Sequence, residues 1–127
     1  MNLFKTLTLA LAIAVVVPAA ALAKHGNDNS KTVAGTCTKN ATSKLKVKLD
    51  DGKLETEFEV DQNRSGVKWN VTLRRNGNVA VKTTRRTKAP SGSFSLERKL
   101  GNSPGKDRVS ARATSPSGEV CTASLSF

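Results

Sequence analysis

The chain has 127 residues, with 21 lysines and arginines against 10 aspartates and glutamates, a formal charge of +11. That length suits one domain after removal of a leader, and such a charge bears on solubility and on anionic partners, not on fold. One histidine, two cysteines, four phenylalanines, one tryptophan and no tyrosine leave little for catalysis and only a thin aromatic core.

The chain opens MNLFKTLTLALAIAVVVPAAALAKHG. Lys5 forms a positive n-region, Leu7 to Val17 an apolar h-region, and Ala21-Leu22-Ala23 a cleavage signal, so residues 1–23 read as a secretory signal peptide cut after Ala23. The uncharged run from Thr6 to Ala23 is just long enough to span a bilayer, but Pro18 and the small residues after it favour cleavage. No later stretch has the length or the apolarity to cross a membrane. The expected mature chain, residues 24–127, is extracellular and keeps 20 basic and 10 acidic residues. Export places Cys37 and Cys121 in an oxidising compartment, where the two thiols of a small domain pair. Chain entropy gives such a bridge roughly 4–5 kcal/mol.

Residues 24–36 (KHGNDNSKTVAGT) carry no core-forming pattern and are expected to be a disordered tail. The domain is then 37–127. Within it, KLKVKLDDGKLETEFEV (44–60) alternates twice around Asp51-Gly52, the signature of a hairpin closed by a two-residue type I′ loop. Leu45, Val47 and Leu49 share one face with Leu54, Thr56, Phe58 and Val60. On the other face Lys48 falls opposite Glu55, Lys46 opposite Glu57 and Lys44 opposite Glu59. Turn chemistry, apolar alternation and charge pairing select the same register, which a one-residue slip would break. The acids of this hairpin neutralise the outer face of one sheet.

GVKWNVTLRRNGNVAVKTTRRT (66–87) repeats the logic, with Val67, Trp69, Val71 and Leu73 inward. A two-residue loop at Asn76-Gly77 sets Val71 against Lys82. A three-residue loop, Arg75 to Gly77 with a G1 bulge, sets Leu73 against Val79 and Val71 against Val81, and is preferred. Three more strands follow: GSFSLERKL with Phe94 and Leu96 inward, RVSARAT with Val109, Ala111 and Ala113 inward, and VCTASLSF with Cys121, Ala123, Leu125 and Phe127 inward. Seven short strands with frequent turns and no helical period read as an all-β antiparallel sandwich.

With Trp69 in the third strand and the final hairpin DRVSARATSPSGEVCTASLSF, residues 37–127 resemble the immunoglobulin and fibronectin type III class of sandwich, and small secreted bacterial proteins of that class. Two hallmarks of true immunoglobulin domains are missing. Thr56 or Phe58 and Ala111 stand at the family's cysteine positions, and Val109 stands at its tyrosine corner. The resemblance implies that the first, second and fifth strands form one sheet and the third, fourth, sixth and seventh the other. It also implies that a Cys37–Cys121 bridge would tie the chain ends at one pole. It implies no activity.

Charge sorts between those sheets. Residues 43–61 hold four lysines and six acids, whereas residues 62–116 hold thirteen basic residues and only Glu97 and Asp107. Alternation puts Lys68, Arg74, Lys82, Arg86, Arg108 and Arg112 on the outer face of the second sheet, spaced by Asn70, Thr72, Thr84 and Ser110. The loops QNRSG, RRTKAPSGS and SPSGE should converge near the cysteines and add Arg64, Arg85 and Lys88. The expected function is a non-catalytic module that contacts anionic extracellular or cell-surface polymers. Sequence-specific nucleic-acid reading is not expected, because no aromatic and no groove-reading helix accompanies the cations. The alternatives are a solvated surface that only maintains solubility, and an inhibitor or interaction domain acting through the loops at the disulfide end.

No cofactor and no enzymatic activity are expected. His25, the sole histidine, lies in the tail, away from any nucleophile or soft metal ligand. Glu55, Glu57 and Glu59 face lysines on an open surface, and Asp50-Asp51 belong to a tight turn, so neither set suggests acid–base or calcium chemistry. Asn40-Ala41-Thr42 and Asn70-Val71-Thr72 match the glycosylation sequon.

Overall fold

The computed structural model describes residues 29–127; the expected leader, its cleavage point and residues 24–28 lie outside that span. The strands in chain order are β1 (Ser30–Ala34), β2 (Thr36–Cys37), β3 (Thr42–Asp50), β4 (Lys53–Asp61), β5 (Lys68–Arg75), β6 (Asn78–Arg86), β7 (Ser93–Leu100), β8 (Arg108–Thr114) and β9 (Val120–Ser126). No helix occurs among the described residues. The strands form two antiparallel sheets, β1-β3-β4-β7 and β2-β9-β8-β5-β6. Every expected strand therefore joins the sheet assigned to it.

The count is nine rather than seven because the region expected to be a disordered tail is not one between Ser30 and Thr36. There β1 runs along β3, from Ser30 opposite Lys48 to Ala34 opposite Lys44. The chain then crosses from one sheet to the other at Gly35, whose amide donates to the Ser43 carbonyl (2.9 Å). A Cβ on Gly35 would press on Ser43 Oγ and come within 2.6 Å of the Thr122 carbonyl oxygen, so only glycine fits this crossing. Immediately afterwards β2 pairs with β9, setting Thr36 opposite Thr122 and Cys37 opposite Cys121. Cys37 thus lies within a strand, and its disulfide to Cys121 joins directly opposed residues.

The hairpin of β3 and β4 keeps the expected register along its whole length, from Asp50 opposite Lys53 to Lys44 opposite Glu59. Asp51 (φ 48°) and Gly52 (φ 72°) are both left-handed, as a type I′ loop demands. The second hairpin differs from expectation. Asn76 (φ 51°) and Gly77 (φ 83°) form a two-residue loop, which pairs Arg75 with Asn78 and Arg74 with Val79. The register then shifts between Leu73 and Arg74, so that Leu73 faces Val81 and Val71 faces Thr83, with Ala80 as the extra residue. The bulge exists, but inside β6 and not in the loop. Consequently Val79 lies 52 % exposed on the outer face beside Arg74, not inward against Leu73.

Between the sheets Leu45, Val47, Leu54, Phe58, Val60 and Leu96 meet Trp69, Val71, Leu73, Val109 and Ala113, all buried. Each large side chain so buried contributes about 1.5–3 kcal/mol relative to exposure. Trp69 anchors the middle. Its ring lies 6.1 Å from that of Phe94 at a tilt of 53°, and its indole N–H donates to Gln62 Oε1 (3.1 Å).

Candidate functional site

Once the core claims every second residue of the five-stranded sheet, the remaining side chains form a flat outer face. The ladder pairings place them in rows. One row runs Lys82, Thr72, Arg112, Thr122 and Thr36. The next, beside it, runs Val79, Arg74, Ser110 and Ser124. On the other side lie Thr84, Asn70, Thr114 and Val120, and then Arg86 opposite Lys68. Arg108 faces Ser126 at the far end. Lys68, Arg74, Lys82, Arg86, Arg108 and Arg112 are all exposed, and none is in an ion pair among the described residues.

The strands of this sheet contain no aspartate or glutamate. The acids nearest to them in sequence are buried and turned into the loops. Glu119 accepts from the amides of Lys39 (2.8 Å) and Ala41 (3.0 Å). Asp107, with no exposed surface, accepts from the Ser103 amide (3.0 Å), Asn76 Nδ2 (2.8 Å) and Arg75 (3.3 Å). The Ser103 N–H contributes most to holding its carboxyl below the ordinary aspartate value of 3.8. Burial opposes this, and Asn76 and the Arg75 charge add to the lowering. Arg75 also binds the Gly101 carbonyl (2.9 Å) and Ser103 Oγ (2.8 Å). It is therefore a structural residue, withdrawn from the cationic face.

Two like-charge juxtapositions remain on that face with no counter-charge among the described residues. Lys68 stands directly opposite Arg86. Arg74 pairs with Ser110 and Arg112 with Thr72, so the two arginines are diagonal neighbours on adjacent strands. Such juxtapositions oppose folding. Arg74 and Arg112 also border a shallow trough of about 420 Å³, floored by Thr72, Ser110, Thr122 and Ser124 and walled by Ala34 to Thr36 at the sheet crossing. The wall comes from residues read as tail, so the trough is invisible to alternation alone. The expected Cys37–Cys121 bridge did carry the missing signal. A cysteine bridged to the last strand brings its neighbour Thr36 beside Thr122.

Arg85 sits differently from expectation. It belongs to β6 rather than to the following loop, lies opposite Trp69, and points to the inner side of an edge strand. There it donates to the Thr84 carbonyl (2.9 Å) and lines a depression with Lys88 and Phe94. Inward-pointing charge on an edge strand blunts strand-to-strand aggregation. The three polar loops do meet at the disulfide end. Gln62 donates its amide to Gly92 (3.0 Å) and Gly66 to Thr87 (2.7 Å), while Asn63 and Arg64 share a cleft of about 440 Å³ with Lys39, Asn40 and Ser117.

The outer face of the four-stranded sheet is mixed in sign. Its rows read Ser30, Lys48, Glu55, Lys99; then Thr32, Lys46, Glu57, Glu97; then Ala34, Lys44, Glu59, Ser95. The lysines and glutamates of the hairpin face each other as expected but do not close into contact. Among the described residues the ion pairs within 4.0 Å are Arg75–Asp107 (3.3 Å) and Lys99–Asp50 (3.6 Å). The ladder thus balances the field of this face without tight bridges. No group of three or more potential metal ligands occurs among the described residues, and no described helix is long and apolar enough to cross a membrane. His25 lies outside the described span. Comparison with family models, with curated proteins and with solved structures finds no match to this chain.

Proposed function

We propose that the protein is a secreted, non-catalytic binding module of the immunoglobulin/fibronectin type III-like kind, whose five-stranded sheet captures anionic polymers of the extracellular space or cell surface. One observation carries this reading. The strands of one sheet expose cations and hold no acid, so that its like-charge neighbours have no counter-charge beside them, while the opposite sheet carries both signs, its Glu57–Glu97 pair lying in a row with Lys46. A protein that needed only solubility would gain nothing from placing Lys68 against Arg86. A polyanion laid across the face supplies the missing counter-charge to both pairs and releases its own counter-ions. Sheet membership supports the fold part of the proposal, because the strands divide as the resemblance implies, with β1 and β2 added in front.

The test is retention of the mature protein on immobilised anionic polymer at low salt, with and without Arg86→Glu, Arg108→Glu and Arg112→Glu together. The expected outcome is binding that falls steeply with salt and is lost in the triple variant. No retention of the wild type, or unchanged retention of the variant, contradicts the reading. The second reading, a protein partner held by the loops at the disulfide end, rests on the polar cleft there and predicts a complex that persists in moderate salt.

A further inference from the structure

Resting on that reading, we infer that Arg74 and Arg112 form a subsite for a tetrahedral oxyanion, so that the polymer captured is a phosphate or sulfate ester rather than a polycarboxylate. The argument begins with the side chains themselves. Both cations closest to the trough are arginines, and neither guanidinium is in an ion pair among the described residues. Arg112 makes no side-chain hydrogen bond there, and Arg74 has only a long one, to the Gly77 carbonyl (3.5 Å). Their donors are therefore free to be shared by one ligand group.

A guanidinium presents a planar fork that matches two oxygens at once. One such fork takes both oxygens of a carboxylate, and the lone pairs left over lie in the same plane and point apart. A second arginine beside it would then reach only one of them and could not use its fork. A terminal phosphate or sulfate ester offers three acceptor oxygens in different directions, enough for two forks and a hydroxyl. Hydroxyls are what the floor supplies: Thr72, Ser110, Thr122 and Ser124, with Thr36 and Thr122 in contact at 3.2 Å. All of these side chains are small, so an ester group can sink between the arginines onto the sheet. The flanking cations then follow the rest of the chain. Lys82 lies in the row of Arg112, and the Lys68–Arg86 pair lies six residues along β5 from Arg74, about 20 Å away.

The experiment compares dissociation constants for dextran sulfate, dextran phosphate bearing monoester groups, and polygalacturonate at one ionic strength, using wild type and the charge-conserving pair Arg74→Lys and Arg112→Lys. Wild type should bind dextran sulfate, dextran phosphate or both at least tenfold more tightly than polygalacturonate, and whichever binds tighter identifies the ester. The lysine pair should remove that preference while leaving the salt dependence nearly intact, since charge is conserved and the planar fork lost. Lys68→Arg with Arg86→Lys serves as the control and should leave the preference unchanged. Equal binding of all three polymers by wild type, or a preference that survives the lysine pair, overturns the subsite but leaves general polyanion capture standing. Failure of every polymer to bind overturns both. Both arginines are exposed, and the near-ultraviolet signal of buried Trp69 reports whether each variant keeps the native core.

Discussion

At the scale of single residues, the molecule separates cations that hold the fold from cations left to solvent. Arg75 and Arg74 are neighbours in sequence, yet the first is fixed by Asp107, Gly101 and Ser103 and the second stands on the open face. Nothing local distinguishes them except the parity of the strand. The depressed Asp107 pKa makes this network pH-dependent in a definite direction. A carboxyl whose folded value lies below its unfolded value stabilises the fold fully above the unfolded value, near 3.8, and that stability is lost as pH falls through the folded one. Asp107→Asn should therefore be less stable than wild type at pH 7, and the gap in denaturant midpoint should narrow as pH falls below about 4. A gap that stays constant from pH 7 to pH 2 would show that the carboxylate charge plays no part.

Individual elements show why some of this structure is legible in the sequence and some is not. In β3 and β4 the Asp51-Gly52 turn, the apolar alternation and the lysine–glutamate pattern are independent signals for one register, and the pairing follows without exception. In β6 the run Val79-Ala80-Val81 offers apolar residues at consecutive positions, so alternation does not choose between registers, and a bulge at Ala80 resolves the ambiguity. β1 and β2 were hidden for another reason. SKTVA has almost no pattern of its own, and its strand exists because the β3 edge offers it a ladder and the disulfide holds β2 against β9. The face of each cation in β5, β6 and β8 was therefore readable, Arg75 and Arg85 excepted, whereas the trough beside Arg74 and Arg112 was not. The bulge gives a deletion test. Removing Ala80 leaves Arg74 opposite Val79 and Leu73 opposite Val81, so every pair beyond it persists. The shortened protein should unfold within about 1 kcal/mol of wild type, as measured by denaturant titration. A large loss of stability would mean that the bulge itself is required.

For the molecule as a whole, the two sheets share a core but not an electrostatic character. The four-stranded sheet carries both signs in its rows, and the charged side chains exposed on the five-stranded sheet are cations alone. Net charge cannot separate a functional face from a soluble surface, because both give the same total. Position can. The decisive measurement sets two variants of equal net charge side by side on one anionic polymer over a range of salt concentrations. One neutralises Arg86, Arg108 and Arg112 to glutamine on the five-stranded sheet, and the other neutralises Lys44, Lys46 and Lys48 to glutamine on the four-stranded sheet. The account predicts that the first lowers the slope of log affinity against log salt by about 2–3 and weakens binding more than tenfold, while the second changes neither appreciably. Equal losses in the two variants would contradict it.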